Sequence, residues 1–128
     1  MSEAKRILVI EDDAVLRDLL GDWLLAAGYR VALAPDGRAG LADAAAQCPA
    51  LVVTDINMPG ISGAAVIAEI RRMHPDTPII AISAHFRSDH GFTADAATAL
   101  GAKRAIAKPF RRTDMVGAVM ELAGPPSA

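Results

Sequence analysis

Short apolar runs recur along this chain with a helix-like stretch between each pair, and that alternation restricts the fold more than any other feature. The runs are RILVI at 6–10, RVAL at 30–33, ALVVT at 50–54, PIIAI at 78–82 and RAIA at 104–107. None carries a charge after its first residue. A strand that is apolar on successive residues, rather than on every second one, has to be covered on both faces. Parallel strands need long crossovers, and the segments between these runs have the length and pattern of helices. The chain therefore reads as α/β, a doubly wound parallel sheet of five strands with five helices on its faces.

The boundaries follow from local chemistry. Asp12 or Asp13 can cap a first helix, which spaces Val15, Leu16, Leu19, Leu20, Trp23 and Leu24 along one side and stops near Gly28. An alanine-rich second helix runs from Gly37 to Gln47 and ends before Pro49. The third runs from Ile61 to Met73, with Pro75 and Pro78 bracketing the turn after it. A polar loop, HFRSDHGFT, precedes a fourth helix ending near Gly101, and Thr113 can cap a fifth that reaches Ala123. The closing GPPSA reads as a frayed end. The expectation is one domain over 1–128, with its core at about 5–123 and a disordered tail at 124–128.

Composition narrows the functional classes. A formal net charge of -2 gives no support for broad electrostatic binding to nucleic acid or to an anionic membrane surface. The single cysteine, Cys48, cannot form an intrachain disulfide and rules out a Cys-rich metal site. No apolar run approaches the roughly 20 residues that span a bilayer. MSEAKRILVIEDD is too short and too acidic for a signal peptide, so a cytoplasmic setting is expected.

Chemistry in an open α/β sheet collects beyond the carboxyl ends of the strands. There the first strand delivers Glu11, Asp12 and Asp13, the third Asp55 and then Asn57, the fourth Ser83 and the fifth Lys108. If the first and third strands are neighbours, Glu11, Asp12 and Asp55 converge. Two like charges about 4 Å apart repel by roughly 4 kcal/mol at an effective dielectric of 20. A divalent cation with oxygen ligands offsets this, and the lack of a nearby His or Cys ligand favours Mg²⁺, or else Mn²⁺, over zinc. Such an ion takes its remaining ligands from water and phosphate oxygens. Lys108 can meet a phosphoryl oxygen and Ser83 can donate to another. Asp55 then reads as a nucleophile that accepts a phosphoryl group.

The motifs ILVIEDD, LVVTDINMPGISG, IIAISAH and AKPF, in this order and spacing, resemble the receiver domain of bacterial response regulators over nearly the whole chain. The resemblance implies a flavodoxin-like sheet in the order 2-1-3-4-5, as in stand-alone chemotaxis regulators. It implies Asp55 as phosphoacceptor, with Asp12 a direct Mg²⁺ ligand and Glu11 acting through water. Asp55 is then a further ligand source, and the Asn57 backbone carbonyl completes the metal site. Ser83 matches the switch position, Lys108 the lysine that pairs with the phosphoryl group, and the Lys108–Pro109 bond is expected to be cis. Asn57 and His85 occupy the positions that tune hydrolysis. Members of the family catalyse their own phosphorylation from a kinase phosphohistidine, and usually their own dephosphorylation.

Two departures stand out. The fifth strand carries Ala105 where the family usually has the aromatic residue that swings inward on activation. The 85–93 loop, with Phe86, Arg87, His90 and Phe92, is longer than in many receivers. The expected function is a stand-alone receiver served by a sensor histidine kinase or a histidine phosphotransfer protein, with no nucleic-acid or membrane partner. Leu16, Pro109 and Phe110 are candidates for the partner contact. A homodimer through the fourth helix, fifth strand and fifth helix is compatible with the resemblance. One alternative is a receiver-fold interaction module that is never phosphorylated. The other, a phosphatase of the haloacid-dehalogenase type, is disfavoured because Asn57 stands where that family has its acid.

Overall fold

The computed structural model describes residues 3–84 and 94–127. The elements run in the order β1 (Arg6–Ile10), α1 (Ala14–Ala26), β2 (Arg30–Ala34), α2 (Gly37–Ala46), β3 (Leu51–Asp55), α3 (Gly63–Met73), β4 (Ile79–Ser83), α4 (Ala94–Leu100), β5 (Arg104–Ala107) and α5 (Arg112–Ala123). All pairings are parallel, and the sheet order is β2-β1-β3-β4-β5, as expected.

Successive apolar residues feed two cores on opposite faces of the sheet. Leu8, Ile10, Val52, Ile79 and Ala81 pack with Val66, Ile67 and Ile70 of α3, Ala44 of α2 and Ala97 of α4. Ile7, Val9, Leu51, Val53, Ile80 and Ile82 pack with Leu20 and Leu24 of α1 and with Met115 and Val119 of α5. Each of these larger side chains contributes about 1.5–3 kcal/mol by leaving water. β2 and β5 are the sheet edges and are only half-buried, unlike the fully buried β1, β3 and β4.

Several boundaries differ from the sequence reading. β3 extends to Asp55, so the acid is the last residue of the strand itself. α3 begins at Gly63, capped by Ser62, whose Oγ accepts from the Ala65 N–H at 3.1 Å. Residue 63 must be glycine, since a Cβ there would lie 2.5 Å from the Ile56 Cα. That close approach seats α3 against the segment after Asp55. α5 starts two residues earlier than expected, with Arg111 at its N-cap and Thr113 inside the helix. In α1, Leu20 and Leu24 are buried, but Val15 and Leu19 are 79% and 40% exposed. Those two lie one helical turn apart on a neighbouring stripe, turned away from the sheet.

The expected frayed end is held at two points. The Lys5 N–H donates to the Pro126 carbonyl at 2.8 Å, and the Tyr29 hydroxyl to that of Gly124 at 2.6 Å.

Candidate functional site

β1 and β3 are neighbours with Ile10 opposite Thr54, so Glu11 leaves the sheet beside Asp55. The Glu11 N–H continues the ladder to the Ala34 carbonyl at 3.0 Å. Asp13, not Asp12, caps α1, with its Oδ1 accepting from the Val15 and Leu16 N–H groups at 2.9 and 3.2 Å. Asp12 is thereby left exposed at the mouth of the cleft. One carboxylate oxygen from each of Glu11, Asp12 and Asp55 lies within 4.8 Å of the others. Glu11 is fully buried, and Asp55 nearly so.

Lys108 reaches this cluster from the far side. The Lys108–Pro109 bond is cis. The Lys108 N–H donates to the Ser83 carbonyl at 3.0 Å, which ties the end of β5 to that of β4. Its Nζ lies 2.6 Å from Asp55 Oδ2 and 2.8 Å from Glu11 Oε1. The ammonium thus bridges the Glu11 and Asp55 carboxylates.

Three carboxylates against one ammonium leave the site negative, and the ionisation of its members reflects this. Burial, with the charge of Asp55 and a side-chain hydrogen bond with Asp12, pushes Glu11 from 4.5 to about 7, against the lowering pull of Lys108 and the Asp13 N–H. Burial alone would lower Lys108, but its contacts with Asp55 and Glu11 outweigh this and hold it above its usual value. An all-oxygen donor set of three clustered carboxylates with excess negative charge fits a hard divalent cation.

Asn57 connects two parts of the site. Its backbone N–H donates to Asp55 Oδ1 at 2.8 Å, while its side-chain Nδ2 donates to Ser83 Oγ. Ser83 is fully buried at the end of β4. Ala105 is half-buried in β5, paired with Ala81. His85 and the 85–93 loop lie outside the described residues.

Sequence reasoning missed two features. Arg17, on the first turns of α1, donates from Nη1 to the Glu11 carbonyl at 3.0 Å, bracing the turn that carries the acidic pair. The signal was its place one turn past the capping Asp13. The other is the extent of an apolar groove of about 430 Å³ beside Lys108. Leu16, Pro109 and Phe110 line it as expected, but so do Leu19, Trp23 and Ala84. Trp23 meets Phe110 edge-on at 6.3 Å.

Comparisons with known proteins agree with this geometry. The family model for the response regulator receiver domain matches residues 7–120. The chain is 36% identical over 116 residues to the chemotaxis protein CheY of Thermotoga maritima, covering 90% of this chain and 94% of that one. It is 34% identical over 117 residues to the transcriptional regulatory protein PrrA of Mycobacterium tuberculosis, covering 91% of this chain but about half, 49%, of that relative's length. Among solved structures it resembles the receiver domain of a sensor histidine kinase from Pseudomonas aeruginosa, which has a magnesium ion coordinated in its active-site cleft. That match has a TM-score of 0.84 at 27% identity and covers 94% and 98% of the two chains.

Proposed function

Because the chain belongs to the response regulator receiver family, a family of signalling domains rather than classical enzymes, we propose that it accepts a phosphoryl group on Asp55 in a Mg²⁺-dependent reaction. The observation that carries this reading is the convergence of the Glu11, Asp12 and Asp55 carboxylates, two of which, Glu11 and Asp55, meet the one ammonium of Lys108. Glu11, Asp12, Asp55 and the Asn57 backbone carbonyl would hold the ion, which supplies positive charge against the carboxylates and the incoming phosphoryl oxygens. Mn²⁺ satisfies the same donors.

In the transfer, an Asp55 carboxylate oxygen bonds to phosphorus as the P–N bond of the donor phosphohistidine breaks and the imidazole keeps the bonding pair. Lys108 pairs with one phosphoryl oxygen and the Ser83 hydroxyl donates to another, so the chain contributes positioning and charge rather than acid–base work. The donor is a sensor histidine kinase or a histidine phosphotransfer protein in the cytoplasm. Its helices would seat in the groove of Leu16, Leu19, Trp23, Pro109 and Phe110, next to the acceptor. No helix among the described residues is long and apolar enough to cross a membrane.

The chain covers nearly all of the Thermotoga CheY but about half of PrrA. Its output would be a docking surface or onward phosphotransfer, with the α4, β5 and α5 face open to a second copy. His85 is proposed, with Asn57, to tune hydrolysis.

Comparing two donors tests this. Asp55→Asn should lose labelling from both acetyl phosphate and a phosphorylated histidine phosphotransfer protein. Leu19→Glu should keep the first and lose at least tenfold in rate with the second. Equal loss of both donors in Leu19→Glu would reject the groove as the docking site.

A further inference from the structure

Asp12 is the exposed member of the acidic cluster, so packing does little to aim its side chain. The backbone on either side of it is engaged instead. The Glu11–Asp12 peptide presents the Glu11 carbonyl, which accepts from Arg17 Nη1 at 3.0 Å. The Asp12–Asp13 peptide presents the Asp13 N–H, which donates to Glu11 Oε2 at 3.1 Å. A peptide group is planar, so a bond to its carbonyl or its N–H holds the whole unit. With both planes held, the Cα–Cβ direction of Asp12 between them is fixed as well. Arg17 is itself anchored to this turn, because its own N–H donates to the Asp13 carbonyl at 2.8 Å. The helix does not call for a cation there. α1 begins at Ala14, and a helix dipole favours anions at its amino end.

We infer that Arg17 is a positioning residue that acts through the Glu11 carbonyl. It fixes the Glu11–Asp12 peptide so that the Asp12 carboxylate is presented beside those of Glu11 and Asp55 as one donor set for the cation. The inference rests on the Mg²⁺-dependent reading above. Charge alone acts the other way, since a guanidinium close to the cluster weakens its pull on a divalent ion. Removing the side chain therefore separates the two roles by the sign of the change.

The test is calorimetric titration of Mg²⁺ into wild type and Arg17→Met, beside the Mg²⁺ dependence of labelling by acetyl phosphate. Methionine keeps an apolar stem and loses both the donors and the charge. Mg²⁺ affinity should fall about three- to tenfold, the size of one lost hydrogen bond. The Mg²⁺ concentration that gives half the maximal labelling rate should rise by the same factor. The rate at saturating Mg²⁺ should change less than about twofold, because Asp55 and Lys108 keep their own contact. Lower stability in urea with unchanged Mg²⁺ affinity would overturn the inference by making Arg17 merely structural. Tighter Mg²⁺ binding would overturn it by making charge dominant, and so would an equal loss of rate at saturating Mg²⁺. Arg17→Gln carries the same comparison if Arg17→Met does not fold. Each of these results leaves the phosphoacceptor reading intact, whereas a wild-type protein that neither binds Mg²⁺ nor gains phosphoryl mass would remove both.

Discussion

The two ends of this one sheet treat charge in opposite ways. At the amino end, Arg6 is 8% exposed, and its guanidinium is matched by Asp43 and by the Gln47 carbonyl at the end of α2. Lys5 Nζ donates to the Ala123 carbonyl at 2.6 Å, a cation at the C-terminus of α5, and Arg30 Nε to the Ala4 carbonyl at 2.7 Å. At the carboxyl end, Glu11, Asp12 and Asp55 cluster, and one lysine, Lys108, meets Glu11 and Asp55. The same ladders support both ends, so backbone geometry does not account for the difference. Charges at the amino end meet opposite charge or carbonyls and hold helices to strands, although Arg6 Nε itself makes no hydrogen bond among the described residues. Those at the carboxyl end are left in excess, an arrangement that costs stability and suits a hard cation.

The largest effect should come from breaking the paired end. Arg6→Ala strands the Asp43 carboxylate and the Gln47 carbonyl, and should lower unfolding free energy in urea by about 2–4 kcal/mol. The value lies below that for a fully enclosed pair because Asp43 is 36% exposed. Its rate of labelling by acetyl phosphate should be unchanged.

The unpaired end should reveal itself through pH. An acid whose value is higher in the folded chain than in the unfolded one binds its proton more readily when folded. Glu11's share of stability is therefore present in full below about 4.5 and is lost as pH rises through about 7. Melting temperature in a metal chelator should fall across that window, and millimolar Mg²⁺ at pH 8 should restore part of it. Glu11→Gln should flatten the profile and weaken the Mg²⁺ rescue. A wild-type profile that is flat between pH 4.5 and 7 would contradict the charge excess.

The smallest effect belongs to Tyr29→Phe, which removes the hydroxyl's bond to Gly124 and should cost about 1 kcal/mol in urea unfolding. A loss within error would mean that the Tyr29 bond adds nothing and that the Lys5–Pro126 bond alone ties down the residues after Ala123.

The strands and the acids at their ends were legible because both signals are dense. Full burial forces unbroken apolar runs such as ILVI and LVV, and Asp55 interrupts one where a turn begins. Helix faces were less legible. Val15 and Leu19 share the periodicity of Leu20 and Leu24, and only the position of α1 over the sheet puts the first pair toward solvent. Thr113 was a reasonable cap by type, but the chain turns at Arg111, where the Asp114 side chain accepts the cap N–H at 3.1 Å. Contacts across chain distance were invisible: nothing in the spacing says that Asn57 meets Ser83. Such bonds depend on side-chain reach after the strands are assembled.

The most direct measurement is intact mass after incubation with acetyl phosphate, with and without Mg²⁺, for the wild type and for Asp55→Asn. The charge imbalance at the carboxyl end predicts a gain of one phosphoryl group that requires Mg²⁺ and vanishes in Asp55→Asn. No gain in folded wild-type protein, or an equal gain in Asp55→Asn, would contradict it.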